Sequence, residues 1–422
     1  MNQQLNGHTD SQASAADLGW NSPGAASVPY KVFFDKQVYD LEQRRLFRGP
    51  VWNYVALEGE LPKRGDFKAT FVGDTPVVVT RGRDGAIHAF VNRCAHRGSI
   101  VCREMRGNSM THVCIYHQWS YDLEGNLIGV PFRKGIEGKG GYPADFATSE
   151  HGLQKLRSAS YAGMIFTSFS DEAPALPDYL GTVARSWIDR TLNRPVRVLG
   201  YSRQVIDGNW KLYAENVRDP YHGSLLHLFN ATFGIARISQ EGGVAMDSSG
   251  GHNVIHARKR AQAQETRAFS DEKVGTYQNG LTLSDPSLLQ GKPDRLIDTS
   301  TTIQSVFPTL VIQQIANSLA TRQILPKGPS RMELISTFIT YEDDDEATVS
   351  TRLKQANLAG PAGYISLEDG YAIELVQQAI VHEPEGASFI ELGGVESKRE
   401  DGLVTEASIR GFWEFYRGLM AA

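Results

Sequence analysis

The sequence predicts an α+β protein: a small all-β domain, then a larger domain with an antiparallel sheet flanked by helices. Three observations predict it. The 422 residues exceed the size at which one hydrophobic core keeps growing. Between about 48 and 165, short alternating strands and turn signals dominate, and two Cys/His pairs fall among them. From 170 to 422, helical periodicities are mixed with a run of strands.

The elements follow in order. Residues 1–28 are rich in Gly, Ser, Ala, Asn and Gln and lack a basic start or apolar core, which predicts a disordered tail rather than a signal peptide. Residues 29–47 contain helical periodicity from Phe34 to Phe47, expected as an N-terminal helix packing on the larger domain. In the small domain, 76–80 and 87–91 flank Asp84-Gly85, and Trp119 to Gly129 turns at Glu124-Gly125-Asn126; both are hairpin signatures. In the larger domain a helix is expected within 203–230, strands over 301–327 and 332–341, and a helix over 367–381. The stretch 405–420 is amphipathic, with Ile409, Phe412, Trp413 and Tyr416 on one face. Residues 240–300 are Gly-, Ser- and Gln-rich with weak periodicity and predict long loops near a substrate mouth.

Composition narrows the function classes. Hydrophobic content of 41% with 22% charged residues is that of a globular protein. Three cysteines are too few for a disulfide framework and point to a reducing compartment. No apolar run reaches a membrane span, so the expected location is cytoplasmic, with no membrane partner. A net charge of −5 gives no reason to expect nucleic acid, and Arg258-Lys259-Arg260 reads as a solvated loop. The acidic run 342–346 lacks the ligand spacing and glycine of a calcium loop and reads as a surface turn.

The chemistry begins at Cys94-Ala-His96 and Cys114-Ile-Tyr-His117, separated by seventeen residues. Zinc fingers pair Cys with Cys and His with His, whereas each half here is mixed. Two thiolates and two imidazoles suit a Rieske [2Fe–2S] cluster, with two Cys on one iron and two His on the other. Neutral imidazoles raise the reduction potential to roughly −150 to +300 mV, and the cluster passes single electrons. Cys102 lies between the halves without a partner and reads as a small buried hydrophobe.

An electron carrier needs an acceptor. His222 and His227, within Glu215-Asn216-Val217-Arg218-Asp219-Pro220-Tyr221-His222 and just beyond it, are candidates for a two-His, one-carboxylate iron site with positions open for O₂. Five residues apart, they stand about 140° around a regular helix. They converge only if the backbone breaks, which Pro220 favours. Spacing does not identify the carboxylate among 48 acidic residues.

With these motifs, and with Asn209-Trp210-Lys211, Phe307-Pro308, Gln313-Gln314, residues 352–357 and 360–363, the sequence resembles the large (α) subunits of Rieske non-haem iron ring-hydroxylating oxygenases. The resemblance runs from about residue 28 to the C-terminus and is strongest to the aromatic-carboxylate branch: anthranilate, ortho-halobenzoate, salicylate and terephthalate oxygenases. It implies a cluster at Cys94, His96, Cys114 and His117, and a mononuclear Fe(II) at His222, His227 and Asp369. It implies further that Asp219 bridges His222 to His117 of a neighbouring subunit in a trimer. Arg322 and Arg410 resemble carboxylate-binding arginines, a role that guanidinium geometry suits, although one of them is able to pair internally with an acid such as Glu374.

The implied activity is dioxygenation of an aromatic carboxylate. An ortho-substituted benzoate such as anthranilate or a 2-halobenzoate would give a catechol, and terephthalate a cis-dihydrodiol. Electrons would come from NADH through a reductase, with or without a ferredoxin. A small β subunit is expected in an α₃β₃ assembly, or an α₃ trimer without it. The alternatives are a Rieske monooxygenase such as a salicylate ring hydroxylase and, outside enzymes, an electron carrier or zinc module, which would leave the second ligand set without a role.

Overall fold

The computed structural model describes Trp20 and residues 24–258, 274–275, 277–278, 280–292, 296, 300–360 and 364–421. Two seven-stranded sheets organise it. The small-domain sheet has the order Asn53–Leu57, Met164–Ser168, Lys155–Tyr161, Ile87–Val91, Thr75–Arg81, Asp66–Val72 and Arg106–Asn108. The hairpin predicted at Asp84-Gly85 forms, with Thr80 opposite His88. Gly85 takes φ +84°, a region that costs glycine nothing. A three-stranded sheet, His112–Val113, Ser120–Tyr121 and Leu127–Gly129, supplies the second expected hairpin.

The larger sheet is antiparallel throughout: Val196–Ile206, Met332–Tyr341, Ser318–Pro326, Leu310–Ile315, Thr301–Val306, Asn253–Arg258 and Glu241–Met246. The 310–315 and 318–326 strands are buried at every residue because both faces are covered. On one face Thr321 and Gln323 meet the small domain, through Tyr54 Oη at 3.0 Å from Thr321 Oγ1 and Gln323 Nε2 donating to the Tyr54 carbonyl at 2.9 Å. The alternate residues, Ala320 and Arg322, take the other face. Helices cover the sheet's surroundings: Leu176–Thr191, Trp210–Asn216, Glu346–Ala359, Ile365–Ile380 and Ala407–Ala421.

Two expectations change. Trp20 and residues 24–28, read as tail, are ordered: Ser27–Pro29 pairs with Ala387–Phe389, and Trp20 packs on Trp413 with ring centroids 5.5 Å apart. Residues 1–19 lie outside the described residues. Residues 241–246 and 253–258, read as loop, are two sheet strands. Their glycines mark close backbone approach rather than a turn, since a Cβ on Gly242 would stand 2.2 Å from the His256 carbonyl oxygen. Of the rest of the expected loop, residues 259–273 lie outside the described residues, and Pro286–Leu288 forms a 3₁₀ turn. The helix expected within 203–230 is Trp210–Asn216, and 203–206 continue the strand pairing with 332–341.

The 29–47 segment is a 3₁₀ turn, the helix Lys36–Glu42 and a π turn, Gln43–Phe47. It is tied to the larger domain at Glu42, fully buried, whose carboxylate accepts from Lys211 Nζ at 2.6 Å, Tyr416 Oη at 2.6 Å and Trp210 Nε1 at 2.9 Å. The acidic run also acquires roles: Asp344 pairs with Arg352 at 2.7 Å, and Asp345 caps the 346–359 helix.

Candidate metal centres and substrate cavity

The two Cys/His pairs sit on loops closed in the same way. The Cys94 N–H donates to the Ser99 carbonyl and the Gly98 N–H to the Cys94 carbonyl, at 2.8 and 2.9 Å. The Cys114 N–H donates to the Trp119 carbonyl and the Gln118 N–H to the Cys114 carbonyl, both at 2.9 Å. Each loop turns through positive φ, at Gly98 and at Gln118. Both cysteines are buried, with Cys94 Sγ 3.2 Å from Tyr121 Oη, while both histidines reach the half-exposed rim. Their rings meet edge to face at 4.5 Å, and His96 stacks on Trp119 at 4.8 Å.

The donor set fits a Rieske cluster. His96 Nδ1 is buried without a partner among the described residues, while its Nε2 faces Tyr142 Oη at 3.5 Å. Burial, then His117 and Arg97, lowers the His96 pKa, favouring the neutral ring a ligand needs. Cys102 is buried as expected, and it also has a partner, His112 Nδ1 at 3.2 Å.

The second centre depends on the break at Pro220. The helix Trp210–Asn216 starts at an Asn209 cap and ends at Val217, and a 3₁₀ turn, His222–Ser224, precedes the helix Leu228–Phe233. His227 sits at that helix's N-cap with extended φ/ψ. The break brings both imidazoles to one carboxylate: His222 Nε2 and His227 Nε2 stand 3.3 and 3.2 Å from Asp369 Oδ1. The three ligand atoms lie within 4.8 Å of one another, a set able to hold a metal ion. Burial lowers the His222 pKa, but Asp219 and Asp369 outweigh it and push it up to about 10. Burial raises the Asp369 pKa, and the two imidazoles outweigh it and hold the carboxyl well below the usual range. Such convergent charge is what a divalent cation neutralises, in competition with protons.

Asp219 does two things. Its Oδ1 accepts from the Tyr221 and His222 backbone N–H groups at 2.7 and 3.3 Å, and its Oδ2 lies 3.3 Å from His222 Nδ1. Two neighbours were not predicted. Glu368, next to Asp369 on its helix, places Oε2 2.7 Å from His227 Nδ1, an outer carboxylate that fixes the ring. Asn216 Nδ2 donates to Asp369 Oδ1 at 3.1 Å and stands 3.3 Å from His222 Nε2. A signal for Asp369 does exist: it interrupts a buried stripe of Ile365, Ile373, Gln377 and Ile380 on its helix.

A cavity opens beside these ligands, with Arg322 on the sheet face and Ile235, Ile255, Ile303 and Ile315 around it. Arg322 is only 5% exposed and donates through one Nη to Tyr213 Oη at 2.8 Å. Arg410 is a correction. It does not line the cavity; its guanidinium donates to the carbonyls of Ile390, Leu392 and Glu396 at 3.0–3.1 Å, holding the chain that precedes its helix. Glu374 pairs with neither arginine and accepts from the Asp207 N–H at 3.3 Å.

Residues 51–139 match the family described as Rieske [2Fe-2S] domain, and residues 186–422 match ring hydroxylating alpha subunit (catalytic domain). The chain is 51% identical to the anthranilate 1,2-dioxygenase large subunit of Burkholderia cepacia, over 96% of each chain. It is 46% identical to a terephthalate 1,2-dioxygenase terminal oxygenase component subunit alpha 2 of a Comamonas species, over 95% of this chain and 97% of that one. It is 39% identical to the salicylate 5-hydroxylase large oxygenase component of a Ralstonia species, over 96% of each. Naphthalene 1,2-dioxygenase from a Rhodococcus species superposes with a TM-score of 0.78 at 26% identity, over 97% of each chain. No helix among the described residues is long and apolar enough to cross a membrane. The chain belongs to the ring-hydroxylating dioxygenase α subunits, oxidoreductases that join a Rieske [2Fe–2S] domain to a catalytic domain of the mononuclear iron type.

Proposed function

We propose that this chain is the large subunit of the oxygenase component of a multicomponent dioxygenase acting on an aromatic carboxylate. The observation that carries this reading is Arg322: a buried guanidinium in the wall of the metal cavity with no carboxylate partner among the described residues. A buried charge needs an opposite charge, and the remaining guanidinium donors suit a planar carboxylate. The isoleucines around it offer an apolar bed for a ring.

Cys94, His96, Cys114 and His117 would hold the cluster, and His222, His227 and Asp369 the iron. When bound, these groups supply single electrons and the site of O₂ activation. Glu368 and Asn216 orient the iron ligands. Asp219, already against His222, would face His117 of the partner subunit in a trimer, with or without a β subunit. Ile115 and Tyr116, apolar and exposed on the Cys114–His117 loop, support such a contact. Electrons would arrive from NADH through a reductase, with or without a ferredoxin, in the cytoplasm.

The test is substrate oxidation by the reduced holoprotein with aromatic acids and their neutral carboxamides. Oxidation of acids alone is expected. Equal oxidation of the amides would remove Arg322 as the anchor.

A further inference from the structure

We infer that Gln313 and Gln240 form a subsite for a neutral hydrogen-bonding ring substituent, amino or hydroxyl, next to the carboxylate. This rests on the aromatic-carboxylate reading above and names the members of that class the cavity prefers.

Gln313 is 1% exposed and Gln240 4% exposed, and both line the metal cavity. Among the described residues, neither side chain has a hydrogen-bond partner at its oxygen or its nitrogen. Burying an amide without partners is costly. Glutamines on the opposite face of the same strands show the usual outcome. Gln323 is bonded at both ends, to Tyr54 and Thr70, and Gln314 to Arg190 and the Ala316 carbonyl. The unpaired donors and acceptors therefore face the space a substrate would fill.

Register places them against the carboxylate anchor. Gln313 lies opposite Ala320, and Arg322 opposite Val311, so Gln313 and Arg322 are diagonal neighbours on one sheet face. Such neighbours are about 7–8 Å apart at the backbone and within reach of long side chains. A substituent beside the carboxylate falls between them. Across the strands, Gln313 stands opposite Ile303, and Ile303 opposite Ile255, so the amide borders an apolar strip suited to the ring. Gln240 comes from the loop before Glu241–Met246, its own N–H held by the Arg237 carbonyl at 3.0 Å.

The chemistry discriminates. An amide carbonyl accepts from an amino or hydroxyl group, whereas a halide or methyl group leaves it unpaired. A second carboxylate would need a second cation. The other guanidinium lining the cavity, Arg237, gives its Nε and Nη2 to the Ala231 and Thr232 carbonyls at 2.6 and 3.0 Å.

The test is anaerobic binding and kcat/KM of the reduced holoenzyme with 2-aminobenzoate, 2-hydroxybenzoate, 2-methylbenzoate, 2-chlorobenzoate and terephthalate. The wild type should prefer 2-aminobenzoate or 2-hydroxybenzoate over 2-methylbenzoate by about tenfold or more, the loss expected when buried polar groups go unpaired. Gln313→Met, Gln240→Met and the double variant should lower that ratio toward one. They should also bind 2-methylbenzoate more tightly than the wild type, a gain that misfolding does not produce. No preference in the wild type, or a preference that survives both substitutions, overturns the subsite. Failure to bind any benzoate overturns the aromatic-carboxylate reading itself, and the subsite with it.

Discussion

Replacing Arg322 by Met isolates the contribution of the carboxylate anchor. Arg322 sits on a strand buried at every residue and is itself only 5% exposed. Its bond to Tyr213 Oη at 2.8 Å occupies one of its amino groups and leaves the rest of the fork for a substrate. Hydrogen bonds to charged groups are worth about 1.5–3 kcal/mol each, and removing one partner of a buried ion pair costs about 3–5 kcal/mol. With part of the fork already engaged, about 3 kcal/mol is expected, which is roughly a hundredfold in affinity. Anaerobic titration of the wild type and Arg322→Met with a benzoate and its carboxamide reads this directly. Acid binding should weaken roughly a hundredfold, amide binding should change little, and Arg322→Lys should fall between, keeping charge without the fork. Tyr213 loses a partner, so a stability loss of about 1 kcal/mol accompanies the change. An unchanged acid-to-amide ratio in the folded variant would refute the reasoning.

Four further outcomes are expected. Asp219→Asn should retain cluster and iron by metal analysis while steady-state turnover falls about 10–100-fold, since it alters a group that orients His222. Arg410→Ala should lower the denaturation midpoint, because four hydrogen bonds to carbonyls are lost, yet leave the acid-to-amide preference intact. Glu42→Leu strands the fully buried Lys211 and should cost about 3–5 kcal/mol in denaturant unfolding, much of it recovered by adding Lys211→Met. Glu215, which accepts from Trp413 Nε1 at 2.6 Å, has its pKa pushed up to about 8 by burial and then by nearby Asp219 and Glu406. Its stabilising effect is therefore full below the unfolded value of about 4.5 and lost as pH rises through about 8. Glu215→Gln should gain melting temperature relative to wild type between pH 5 and 9, and a constant difference would contradict the assignment.

Local chemistry was legible in the sequence wherever ligands are close together. Cys-x-His and Cys-x-x-His spell out two clasps, and Asp219, Pro220 and His222 mark a broken helix whose break brings His227 round. Asp369 was not legible from spacing, because its partners stand far away: Asn216, hydrogen-bonded to it, is 153 residues distant. The resemblance singled it out, and the stripe of Ile365, Ile373, Gln377 and Ile380 that it interrupts is the local trace. Arg322 and Arg410 read alike in sequence, each resembling a carboxylate-binding arginine, and tertiary placement separates them: one faces a cavity, the other a set of backbone carbonyls. Gly242 and Gly243 misled in the other direction. Glycine signals a turn locally, and here it permits a close strand approach that only the folded sheet reveals. The outer residues Glu368 and Asn216 carry no local signature, since their roles exist only once the ligands have converged.

The most direct test of the central claim is a single turnover of chemically reduced, anaerobically prepared protein with 2-aminobenzoate and ¹⁸O₂, followed by mass spectrometry. Reduction beforehand removes the need for a reductase. Incorporation of two labelled oxygens into one aromatic acid, yielding a catechol once the amine and carboxylate leave, is the predicted result. One labelled oxygen, with the carboxylate retained, would contradict dioxygenation and make the chain a ring hydroxylase.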